Sequence, residues 1–83
     1  EDIIVNVEIK QLQFGAKCAE VGTLQTLLNA LEFKGKNGRV LTIDRDFGQN
    51  TDYAVRLFQR DTNLTPDGIV GLKTWNRLLK SNY

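Results

Sequence analysis

The chain has 83 residues, 41% of them apolar and 25% charged, with 11 Lys or Arg against 10 Asp or Glu and no His. This length supports one small hydrophobic core and so one domain. A net charge of +1 with no Lys/Arg block gives no electrostatic hold on nucleic acid or an anionic membrane, and no apolar run approaches the roughly 20 residues of a membrane span.

Residues 3–14, IIVNVEIKQLQF, alternate at Val5, Val7 and Ile9, which predicts a short extended segment. The stretch GAKCAEVG then turns the chain. Over residues 21–33, Val21, Leu24, Leu28 and Leu31 fall on one helical stripe with Leu27 beside it. Gly35 is placed to end this helix in a left-handed cap. After a loop through Asn37 and Gly38, a second helix is predicted over residues 49–62, with Thr51, Ala54, Val55 and Phe58 inward. Asn63 suits the left-handed cap position and Pro66 forbids continuation. A third helix over residues 72–80 turns Leu72, Trp75, Leu78 and Leu79 inward. The expected fold is all-α: a small three-helix bundle (residues 20–83) with an extended N-terminal lead-in (residues 1–19).

One phrase occurs twice. Residues 44–51 read DRDFGQNT and residues 67–74 read DGIVGLKT, so Asp44 matches Asp67, Gly48 matches Gly71 and Thr51 matches Thr74. Val55 and Leu78 follow four places after each Thr. An apolar residue, Gly, two residues and Thr make a helix-start device, the Gly sitting at or beside the N-cap. With Gly71 as N-cap, Val70 and Trp75 take the two places of a hydrophobic staple. Asp52 replaces Trp75 in the earlier copy, where it suits the positive helix end and can pair with Arg56.

Little in the chain is equipped for chemistry. Without His, Cys18 has no base to activate it and reads as a bystander thiol. One Cys forms no internal disulfide, and no set of four nitrogen and sulfur ligands for zinc can be assembled. Asp44, Asp46 and Gly48 only partly match a calcium loop: the Gly comes one place early, and Val55 occupies the position of the closing Glu. Asp46, Phe47 and Gly48 spell a kinase motif with no other kinase element around it.

The segments VGTLQTLLNALEF and DRDFGQNTDYAVRLFQRDTNLTPDGIVGLKTWNRLL together resemble the peptidoglycan-binding domain of bacterial and phage cell-wall hydrolases. The resemblance covers residues 12–80 and rests on the family's ordered series: LQ-x-x-L, then DG-apolar-FG-x-x-T, AV, FQ, DGI-apolar-G, TW and a closing Leu pair. Arg45 departs from it, standing where the family has Gly, and Cys18 stands where Gly is common. The resemblance implies a non-catalytic targeting module for peptidoglycan, covalently linked to a catalytic domain such as an amidase or lysin. It also implies action outside the cell, at the cell wall, without a cofactor. Glu1 and Asp2 stand where a signal peptide would be cationic, so none is expected in this stretch. A protein–protein docking module on the same helical fold is the alternative.

Murein offers amides, hydroxyls and stem-peptide carboxylates. A site for it wants neutral hydrogen-bonding groups, an apolar platform and one cation. Asp44, Arg45, Asp46, Asn50 and Tyr53 supply that mixture within ten residues. Arg45 either pairs with a stem-peptide carboxylate or balances Asp44 and Asp46 in solvent. A groove beside Gln25 and Trp75 is the alternative site. Gln25 and Gln59, at the edges of their stripes, either tie down loops or touch ligand; Trp75 is either core or groove edge. Tyr53 and Leu57, one turn apart, either pack on the N-terminal segment or form an exposed patch.

Overall fold

The computed structural model describes residues 11–80. Within them lie three helices: α1 (Ala19–Ala30), α2 (Gln49–Asp61) and α3 (Leu72–Lys80). The expected extended segment falls mostly outside the described residues. Its last part, however, is anchored. Leu12 forms an antiparallel bridge with Val70 through reciprocal backbone bonds of 3.1 and 2.8 Å. A second antiparallel bridge joins Lys17 to Asp46. Beside it, the N–H of Phe47 donates to the carbonyl of Ala16, and that of Gly15 to the carbonyl of Phe47, both at 2.9 Å. Residues 12–18 therefore strap together the two copies of the repeated phrase.

The core unites Val21, Leu24 and Leu28 of α1, Ala54, Val55 and Phe58 of α2, and Trp75 and Leu78 of α3. Leu12, Leu41, Phe47 and Val70 complete it from the loops. Full burial of each large side chain contributes about 1.5–3 kcal/mol. Phe33 meets Phe58 edge to face, with ring centroids 5.4 Å apart.

Helix α1 ends earlier than its apolar stripe predicts, and Gly35 is not its cap. Glu32 takes the left-handed conformation at φ 68°. Its N–H donates to the carbonyl of Asn29 at 3.0 Å, and that of Phe33 to the carbonyl of Leu28 at 2.9 Å, the paired bonds of a Schellman motif. Swinging Phe33 back onto Phe58 offsets the cost of a non-glycine residue there. Gly35 serves close approach instead: a Cβ on it would lie 2.7 Å from Asn50 Cβ. Helix α2 ends as expected, with Asn63 left-handed at φ 63°. There the N–H of Leu64 donates to the carbonyl of Gln59 at 2.7 Å.

Gly48 and Gly71 cap α2 and α3: their carbonyls accept the N–H groups of Asp52 and Trp75, each at 2.9 Å. Asp52 pairs with Arg56 at 3.1 Å, as its spacing predicts. On α3 the buried face is Thr74, Trp75 and Leu78. Leu72 and Leu79, predicted inward, are exposed, because a nine-residue helix presents only one narrow stripe and the buried Thr74 takes part of it.

Candidate functional site

Gln25 follows Leu24 on the inward side of α1 and is buried. A buried primary amide must place two N–H donors and one carbonyl acceptor. Its Nε2 donates to Asp44 Oδ1 at 3.0 Å, to the carbonyl of Asp46 at 3.1 Å and to Thr51 Oγ1 at 3.0 Å. Two hydrogens serve three acceptors, so one bond is bifurcated. Its Oε1 accepts the backbone N–H groups of Asp44 and Arg45, both at 3.1 Å. Asp44 Oδ1 closes the turn by accepting the N–H of Asp46 at 3.0 Å. One side chain thus fixes the loop before α2 and the first turn of α2 itself.

These bonds set the charge state of Asp44. The Gln25 amide foremost, then the Asp46 N–H, holds its carboxyl below the usual carboxylate range. Asp44 is therefore ionised throughout the neutral range.

Beside this frame runs a groove of about 140 Å³, with Asp44, Asp46, Asn50, Thr51 and Gln25 in its walls. Val40, 64% exposed, adds an apolar rim. Asn50 also holds the neighbouring turn, its Oδ1 accepting the N–H of Asn37 at 3.3 Å. Of the five residues picked from sequence, the structure gathers Asp44, Asp46 and Asn50 in this groove. Arg45 lines an adjacent recess with Lys17 and Cys18, which shares Asp44 and Asp46 as walls. Tyr53 lies exposed one turn beyond Asn50, outside those walls. Gln25 and Trp75 do not share a groove here: Gln25 is a wall, whereas Trp75 belongs to the core. Thr51 went unread as a wall residue. Its signal was the recurrence of Gln, Asp and Thr in both halves of the chain, the three residue types that each hydrogen-bond frame joins.

Arg45 holds a left-handed conformation at φ 63°, where the matching residue of the second phrase is Gly68 at φ 77°. The arginine fits because of Gly22, three residues before Gln25. A Cβ on Gly22 would lie 2.9 Å from Arg45 Cγ, so the arginine stem lies over bare helix backbone. In the second copy the two residue types are exchanged. Arg56, three residues before Gln59, stands on the helix, and a Cβ on Gly68 would lie 2.9 Å from its Nη2. Each corner thus packs one arginine against one glycine.

A 52-residue stretch of the chain is 44% identical to an uncharacterized protein encoded in the bpoA1 3′ region of Kitasatospora aureofaciens. The match covers 63% of this chain and 40% of that one, so the chain spans about two fifths of that relative's length. The crystal structure of the SleB N-terminal domain superposes with a TM-score of 0.80 at 32% identity, over 89% of this chain and 94% of that one. The endolysin of Burkholderia phage AP3 superposes with a TM-score of 0.77 at 36% identity, over 89% of this chain and 26% of the endolysin. The sequence profile of the peptidoglycan binding domain family matches residues 18–78, spanning α1, α2, most of α3 and both copies of the phrase. With its glutamine-framed corners inside that span, the chain belongs to the peptidoglycan binding domain family.

Proposed function

We propose that this domain binds peptidoglycan without cleaving it and holds a covalently attached cell-wall hydrolase against murein outside the cell. The observation that carries this reading is the polar groove over Gln25, whose form is fixed by a buried amide rather than by mobile side chains. Its acceptors, the carboxylates of Asp44 and Asp46, suit the amide, amine and hydroxyl donors of murein. Asn50 adds a neutral donor and acceptor, and Val40 an apolar edge. Tyr53 and Arg45 flank this centre and extend contact along the ligand. Tethering raises the local concentration of the attached catalytic domain near its bonds.

The charge state of Asp44 supports binding over catalysis. A glycosidase acid needs a carboxyl with a raised pKa opposite a second carboxylate, whereas Asp44 is shifted down. The test is co-sedimentation of the purified domain with insoluble peptidoglycan, with chitin and cellulose as controls. Retention on peptidoglycan alone, with no muropeptide or reducing sugar released, is the expected result. Recovery in the supernatant at high murein loading overturns the binding reading; measurable release overturns the non-catalytic one.

A further inference from the structure

The polar groove is built twice. Gln59 is buried like Gln25, and its Nε2 donates to Asp67 Oδ1 at 3.2 Å, the carbonyl of Ile69 at 3.0 Å and Thr74 Oγ1 at 3.2 Å. Its Oε1 accepts the N–H of Gly68 at 3.0 Å, and Asp67 Oδ1 accepts that of Ile69 at 2.9 Å. Beside this second frame lies a cavity of about 430 Å³, larger than the first.

Equivalent wall positions carry different chemistry. Where the first groove has Asp46, Gln49 and Asn50, the second has Ile69, Leu72 and Lys73. The first therefore holds two carboxylates and no cation in its walls. The second holds a single carboxylate, engaged by two N–H donors as Asp44 is, together with a lysine. Leu64, Ile69 and the 62% exposed Leu72 make its sides apolar. The first turn of α3 also lacks an acidic residue, whereas that of α2 carries Asp52.

We propose that this second groove is a separate binding site for the carboxylate end of a short peptide bearing a small aliphatic side chain. Lys73 pairs with the carboxylate. The leucine and isoleucine side chains take the aliphatic group, whose burial removes apolar surface from water. The two carboxylates of the first groove repel the same group, so the corners divide the ligand by charge. This site rests on the reading that the domain binds murein, whose stem peptides carry both features.

The test is a 1H–15N correlation titration of the domain with a soluble disaccharide-tetrapeptide, repeated with the same muropeptide after its carboxylates are converted to amides. The expected result is two sets of shifted amides, residues 41–51 and residues 64–74. Amidation, or Lys73→Gln, weakens the second set by at least about tenfold and leaves the first unchanged. Shifts confined to residues 41–51 overturn the second site while leaving murein binding intact. Equal affinity of the second set for both probes overturns the carboxylate assignment. No shift anywhere, in a domain that also fails to sediment with murein, overturns both.

Discussion

Replacing Gln25 by Leu keeps nearly the same volume in the core and removes every bond of the first frame. Five hydrogen bonds are lost, of which the one to Thr51 is wholly buried and four reach partly solvated partners. Leaving the buried hydroxyl unpaired costs about 1–3 kcal/mol, and each exchange of a partly solvated bond for water about 0.5 kcal/mol. The added apolar burial of leucine returns roughly 1 kcal/mol. The net loss is then about 2–4 kcal/mol, a fall of roughly 10–25 °C in Tm for a domain this small. Urea unfolding followed by circular dichroism measures it, and an unchanged slope would show that the unfolded state is not the cause. Thr51→Val removes one partner alone and should cost about 1 kcal/mol. In the Gln25→Leu background it should cost nearly nothing, because its partner is already gone. A Gln25→Leu loss below about 1 kcal/mol, or full additivity of the pair, would refute the frame as the organiser of this corner.

Asp44 has a folded-state pKa below its unfolded one, so its stabilising contribution is complete above the unfolded value of about 3.9 and disappears as pH falls through the folded value. Asp44→Asn should accordingly flatten stability against pH below about pH 4; a parallel acid limb in both proteins would contradict this. Gly22→Ala gains up to about 1 kcal/mol of helix propensity, but the new methyl meets Arg45 Cγ, so the gain should emerge only beside Arg45→Gly. Equal effects of Gly22→Ala in both backgrounds, by thermal unfolding, would exclude that contact. Asn50→Ala with Tyr53→Ala should weaken sedimentation with murein by at least about tenfold, roughly 1.4 kcal/mol, and Arg45→Gly should weaken it less, most visibly at low salt. A double variant that melts normally and still pellets like the parent would move the site elsewhere.

The helices were legible because apolar spacing at three and four residues is a local signal, and the inward residues of α2 all emerged buried. The end of α1 was not, since its cap is set by Phe33 reaching a partner on α2, a tertiary contact that overrides the preference for glycine. Leu72 and Leu79 misled because spacing cannot tell which side of a short helix is covered when Thr74 is drawn inward by Gln59. The repeated phrase announced two similar corners correctly as helix starts. The reading of Gln25 and Gln59 as side chains that tie down loops is borne out by their bonds to loop backbone groups; which copy of the phrase each one grips was hidden. The Gln25 and Asp44 pair is separated by 19 residues and the Gln59 and Asp67 pair by 8, so no fixed period connects them. Arg45 read as an anomaly only while Gly22, on another element, was out of view.

The strap formed by residues 12–18 also closes two loops of unequal length. Its Lys17 contact with Asp46 closes a loop half as long as its Leu12 contact with Val70, and each doubling of loop length adds about 0.6 kcal/mol of closure entropy. Clamping the corner before α2 therefore costs slightly less chain entropy than clamping the corner before α3. The amides of Leu12 and Val70 donate to each other's carbonyls from two buried residues, so they are expected to exchange with solvent more slowly than the exposed turn amides around them.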